Sequence, residues 1–204
     1  MRKIINILLF ATIFAVNSLA AESADAVLAK TMALLNSKTG LNANYTVTTS
    51  QGSSSGEILI KGNKFRILSN DVKCWFDGKK QWSYSPAVGE VNITAPTEEE
   101  LATVNPFAIA KNFKQNFKAS FAKSTSQTTH TIVLTAKSKN QDIKQATLSI
   151  DKKTYRITKA VLVSQSGEKV TFSMSNYKNM SCTDASFVFN KKLVPAGTPV
   201  IDLQ

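Results

Sequence analysis

The chain opens on an apolar run. Ile4 to Val16 is broken only by Asn6 and Thr12, stands behind Arg2 and Lys3, and is followed by Ser18-Leu19-Ala20, with small residues at the −3 and −1 positions of a cleavage site. This is the layout of a secretory signal peptide over residues 1–20, cut near Ala20. The run is too short to span a bilayer, and no later apolar stretch approaches the ~18 residues a span needs. From Ser23 the spacing becomes helical. Ala24, Val27, Leu28, Thr31, Leu34 and Leu35 predict a helix over 23–37, capped by Ser23 and ended by Gly40. Period two then takes over: Tyr45, Val47 and Thr49 alternate with Asn44, Thr46 and Thr48, and 51–56 reads as a flexible turn. A meander of strands is predicted over 57–61, 64–68, 72–76, 80–85 and 90–94. Gly62-Asn63 and Asp77-Gly78 are its tight-turn signals, and Pro96 ends it.

The middle of the chain changes pattern. Thr97 and Glu100 have capping-box spacing, and Asn105-Pro106 is a second helix start, with Phe107, Ile109, Ala110 and Phe113 behind it. Strands then resume over 117–123, 129–136, 143–150, 155–164, 168–177 and 186–190, and the tail 194–204 reads as extended and non-helical. About a dozen short strands at even spacing predict an antiparallel sheet that curls into a barrel or folds into a sandwich. Two or three helices are too few to cover both faces of such a sheet, so they plug or lid one side. A curled sheet under a lid leaves a cavity where its inward side chains do not fill it.

Composition narrows the class without naming a function. The chain has 204 residues, 43% of them apolar, with 25 basic against 14 acidic side chains, two cysteines and one histidine. This fits one domain over 21–204 with a sizeable core, and excludes wholesale disorder and a disulfide-built scaffold. Without Arg2 and Lys3 the net charge is +9. Such charge suits anionic lipid head groups or an acidic partner. It equally fits solvated lysines on edge strands and turns, the reading favoured by their scatter along the sequence. Export argues against nucleic acid. Cys74 and Cys182 lie 108 residues apart; they could pair, closing a loop worth roughly 4–5 kcal/mol, or remain buried thiols.

Catalytic chemistry is thin. His130 sits in an alternating strand pattern without a nucleophile elbow, no cysteine pair has zinc spacing, and Gly52 and Gly56 open no phosphate-binding helix. One histidine excludes a multi-histidine metal site. Glu98-Glu99-Glu100 fits favourable charge at a helix N-terminus better than a metal or glycosidase site. What remains is apolar. Phe65 and Ile67 share a face, Trp82 and Tyr84 another, Val91 and Ile93 a third; Phe117, Ala119 and Phe121 alternate, as do Val170, Phe172 and Met174. An ordinary β core and a greasy ligand cavity both fit this pattern.

The order of motifs adds a resemblance. Gly56-Glu57-Ile58-Leu59-Ile60-Lys61 followed by Phe65, then Asp77-Gly78-Lys79 followed by Trp82-Ser83-Tyr84-Ser85-Pro86, then Asn105-Pro106-Phe107, resemble the LolA-like periplasmic carriers of outer-membrane lipoproteins. Ile143-Lys144-Gln145 and Ala185-Ser186-Phe187-Val188-Phe189 also correspond. The resemblance implies an incomplete, half-open antiparallel β-barrel of about 11–12 strands with a few α-helices, closed by a helical lid over 97–113. It implies no enzyme, no cofactor and no metal. It implies a monomeric periplasmic carrier that takes acylated lipoproteins from an inner-membrane ABC-type release complex to an outer-membrane acceptor. The lipid-binding cavity would be lined by Phe65, Ile67, Trp82, Tyr84, Phe107, Ile109 and Met174. In place of the family's Arg-Pro after the first strand pair stands Gly62-Asn63, so the lid latch falls to Lys61, Lys64, Arg66 and Phe113. The alternative is a binding protein of the same fold for a glycolipid, a free lipid or a pigment precursor.

Overall fold

The computed structural model describes residues 22–36, 39–98, 100, 101, 105, 107, 113–124 and 126–204. Its frame is one twelve-stranded sheet, in the order β12-β6-β5-β4-β3-β2-β1-β11-β10-β9-β8-β7. Two antiparallel meanders build it. The first comprises β1 (Gly40–Thr49), β2 (Gly52–Lys61), β3 (Lys64–Ser69), β4 (Lys73–Phe76), β5 (Gln81–Ser85) and β6 (Glu90–Thr94). The second comprises β7 (Phe117–Phe121), β8 (Thr129–Ala136), β9 (Ile143–Asp151), β10 (Ile157–Ser164) and β11 (Lys169–Met180). Antiparallel pairing of β1 with β11 joins them, and β12 (Val200–Asp202) adds parallel to β6. β7 and β12 each pair on one side only, so the sheet stays open, as the half-open barrel expectation requires.

Alternation decides the faces. Along β8, β9 and β10 the buried residues Ile132, Leu134, Ala146, Leu148, Ile150, Ile157, Ala160 and Leu162 all enter one core. Cross-strand partners share a face, so Ile132 with Leu148 and Leu134 with Ala146 form continuous apolar rows. The helix α1 (Ala24–Ala33), followed by a 3₁₀ turn at Leu34–Asn36, lies in this concavity and buries Ala24, Val27, Leu28 and Thr31. Ser23 caps it by accepting from the Ala26 amide at 3.2 Å. A polar clasp fixes its start: the Lys30 ammonium meets Glu22 at 2.7 Å and donates to the Tyr155 hydroxyl at 3.0 Å. The short helix α2 (Phe113–Asn116) buries Phe113 and runs directly into β7.

Two local expectations are corrected. Residues 51–56 are not a flexible turn: only 50 and 51 turn, and β2 begins at Gly52 opposite Thr49. Backbone pairing and hydroxyl contacts, such as Thr46 with Ser55 at 2.8 Å, hold a strand that lacks apolar alternation there. Residues 186–190 form no strand. A 3₁₀ turn at Asp184–Phe187 and an extended run follow β11, with a second 3₁₀ turn at Lys191–Leu193. The helix end at Ser37 and the signal peptide lie outside the described residues.

Candidate functional site

The concave face narrows toward a cavity of about 200 Å³ at one end of the sheet. Its floor is Phe65 on β3 and Phe76 on β4, paired across the ladder with ring centroids 5.4 Å apart. Leu35, at the end of the α1 segment, closes one side, and Gly62, Asn63, Gly78 and Lys79 form a rim of two turns. Pro96, Glu98, Leu101, Asn105 and Phe107 cover the top. Each part has a local cause. Gly62 takes a positive φ of 61° and donates its amide to the Leu35 carbonyl at 2.7 Å, tying the β2–β3 turn to α1. Gly78, at φ 104°, lets the Asp77 carboxylate accept from the Lys79 and Lys80 amides at 2.8 and 2.9 Å. The capping box of Thr97 and Glu100 forms, with the Thr97 amide donating to Glu100 at 2.7 Å. Asn105 is buried, and its side-chain oxygen accepts from the Phe107 amide at 3.0 Å.

Of the residues expected to line a cavity, Phe65, Ile67, Phe107 and Met174 stand together in the concave core, and Phe65 and Phe107 also line the cavity. Ile109 lies outside the described residues. Trp82 and Tyr84 do not join them. β5 pairs Trp82 with Trp75 and Tyr84 with Lys73 and Val91, which places both on the opposite, outer face. Period two groups residues by face but does not say which face is concave. Trp75, Tyr84 and Val91 form a second apolar cluster there, covered by Phe189, Leu193 and Val194 of the tail.

The expected latch residues divide between the two faces. Lys64 meets Asp184 at 2.8 Å, and Lys61 donates to the Cys182 carbonyl at 3.4 Å, so both hold the segment after β11. The pairing of Lys64 holds the Asp184 carboxyl below the usual carboxylate range. Arg66 pairs across from Trp75 on the outer face. Phe113 is buried in the concave core. Pattern reading missed Phe76, Leu35 and Asn105; the Asp77-Gly78 turn, which fixes the β4–β5 register, was the available signal for Phe76.

Cys74 and Cys182 are free thiols. Cys74 belongs to the concave core, whereas Cys182 packs outside, near Gly40 and Leu59, so the sheet separates them. Burial pushes the Cys74 thiol up to about 12, leaving almost no thiolate at pH 8. In native protein at pH 8, a maleimide or disulfide probe is therefore expected to label Cys182 and spare Cys74, with both labelled in denaturant. Two native labels, or a mass 2 Da low without reductant, would contradict this assignment.

No metal-binding cluster of His, Cys, Asp or Glu occurs among the described residues. His130 packs against Phe121 and Tyr155, with Nε2 3.7 Å from Glu22. Burial holds its pKa below the ordinary imidazole value, against the pull of Glu22. This is a half-buried strand histidine, not a base beside a nucleophile.

No curated protein matches the chain. An uncharacterized conserved protein from Thermus thermophilus has a similar fold at 12% identity, covering 86% of this chain and 96% of that one, with a TM-score of 0.59. A DUF1329 family protein from Desulfovibrio piger aligns at 9% identity over 85% and 100% of the two chains, with a TM-score of 0.50. A LolA superfamily protein from Nitrosomonas europaea aligns at 13% identity over 82% and 98%, with a TM-score of 0.46. The family described as outer membrane lipoprotein carrier protein LolA matches residues 13–166. That match spans most of the chain, including α1 and both hairpins at the cavity, and the protein belongs to this family.

Proposed function

We propose that the protein is a periplasmic carrier, exported by residues 1–20 and folded as one domain over 21–204. It holds the acyl chains of lipoproteins and moves them from an inner-membrane release complex to an outer-membrane acceptor. The observation that carries this reading is the cavity beneath Leu101 and Phe107, which opens onto an apolar concave face. Hiding an acyl chain from water is worth about 0.8 kcal/mol per CH₂, so a carrier needs apolar lining more than polar contacts. The cavity's roughly 200 Å³ falls below the ~300–1,000 Å³ of a drug-sized ligand site. Loading therefore displaces what fills the concavity: Val27 and Leu28 of α1, and Phe107 and Phe113 of the lid. The small volume also favours a second reading, in which a single-chain lipid or pigment precursor is the ligand.

Native mass spectrometry of mature protein released gently from the periplasm separates the two. A bound acylated polypeptide supports the carrier; a small lipid supports the second reading; an empty protein that takes no lipoprotein from inner-membrane vesicles overturns the first. Site variants test the cavity itself. Leu101→Glu is expected to weaken binding of a fluorescent acyl probe at least tenfold. Trp82→Ala, on the outer face, is expected to change it less than twofold once the folded fraction is matched. Equal losses would remove the concave cavity from the proposal.

A further inference from the structure

Folding gathers a charge that looks scattered along the sequence. Residues 117–180, which form β7–β11 and their turns, carry eleven lysines and arginines against three carboxylates. Residues 22–116 carry ten against nine. Nearly all of the excess therefore sits on one half of the sheet. The three carboxylates are peripheral: Asp142 and Glu168 are exposed in turns, and Asp151 accepts from the Lys153 and Thr154 amides of its own turn.

Register places four of these lysines on the convex side. Lys118 on β7, Lys159 on β10, and Lys169 and Lys178 on β11 are exposed and alternate with residues of the concave core. Among the described residues none of the four has an ion-pair partner. Lys159 stands opposite Ser149 and Ser173, and Lys118 opposite Thr135, so hydroxyls fill the ground between the charges. Val161 and Val163 lie half-buried on the same face, opposite Thr171 and Lys169. Two carboxylates reach this face from its edges: Asp151 at the end of β9, turned to the amides of its own turn, and Glu57 beyond β1 on β2.

We propose that this convex face of β7–β11 is a docking surface for an anionic phospholipid membrane. Four strand spacings separate β7 from β11, roughly 19 Å at the usual inter-strand distance. Charges spread so widely suit an extended anionic surface better than the fixed carboxylates of one protein partner. Lysine supplies mobile point charges rather than planar forks, which fits laterally mobile head groups. Serine and threonine hydroxyls donate to phosphate oxygens. Docking by this face leaves the cavity, on the β3–β4 side, uncovered. Charge placement alone makes this surface, whatever ligand the cavity holds.

Vesicle co-sedimentation of the mature protein tests it. Each lysine near an anionic surface is worth about a fivefold gain in partitioning. Vesicles containing phosphatidylglycerol are thus expected to bind at least a hundredfold better than phosphatidylcholine vesicles in low salt, with binding lost in high salt. The pair Lys159→Glu with Lys169→Glu is expected to reduce binding at least tenfold. Lys191→Glu with Lys192→Glu, exposed in the tail and equal in charge change, is expected to reduce it less than twofold. Equal losses in both pairs would show a response to net charge alone and overturn the assignment to this face. Absence of vesicle binding, or capture by soluble polyglutamate in place of vesicles, would overturn the membrane as the partner.

Discussion

Gly56→Ala is expected to cost about 3 kcal/mol of stability, the upper end of what overpacking usually costs. Gly56 lies inside β2, opposite Tyr45 on β1 and Ser69 on β3. A Cβ there would stand 2.2 Å from the Leu68 carbonyl oxygen and 2.9 Å from the Leu68 carbonyl carbon. Both are backbone atoms, so relief requires β2 and β3 to part and give up their ladder. Gly40 provides the contrast. Its Cβ would crowd the ends of Cys182 and Leu59, at 2.7 and 2.8 Å, which can rotate away, and would meet backbone at the Met180 carbonyl oxygen only at 3.4 Å, an ordinary contact. Gly40→Ala is expected to cost no more than about 1 kcal/mol, the scale of a small overpacking that side chains relieve. Urea unfolding followed by tryptophan fluorescence measures both; a Gly56 loss no larger than the one at Gly40 would count against this strand packing. Against a usual stability of about 5–15 kcal/mol, the larger loss also lowers the amount of folded protein in the cell.

Period two and turn chemistry made the strands readable because each acts locally. The 129–136 alternation is β8, and the Asp77-Gly78 signal is the β4–β5 turn. What escaped depended on the rest of the chain. The start of β2 carries only glycine and serine, and its partner strand, not its own pattern, makes it a strand. Phe187 and Phe189 alternate like strand residues, but they pack by crossing the sheet's outer side without pairing into it. Phe65 is concave and Trp82 convex, a difference set by how the sheet curls, which no single strand records. The lysines at 118, 159, 169 and 178 are scattered in sequence and become one face only through the strand order.

Trp75→Ala should be the most damaging substitution on the outer face, at about 3–5 kcal/mol. Trp75 is fully buried, although it points away from the main core. The segment after β11 buries it. Phe189 meets its ring edge-on, with centroids 5.4 Å apart, and Leu193 packs on the same cluster. That segment is held at its ends: Lys64 binds Asp184, Lys73 donates to the Leu193 carbonyl at 2.5 Å, and β12 pairs with β6. The indole N–H meets no acceptor among the described residues, so phenylalanine at this position gives up no hydrogen bond. Trp75→Phe is therefore expected to cost less than about 1.5 kcal/mol, as a partial loss of volume does. In a double-mutant cycle, Trp75→Ala and Phe189→Ala should couple by about 0.5–1.5 kcal/mol, the usual worth of an edge-on aromatic pair. Additive losses would mean that the tail does not rest on Trp75, and a phenylalanine variant as unstable as the alanine one would mean that the indole N–H has a partner. Measured beside acyl-probe binding, the same variants locate the tail's role: because the concave cavity lies across the sheet, stability should fall while the affinity of the remaining folded protein holds.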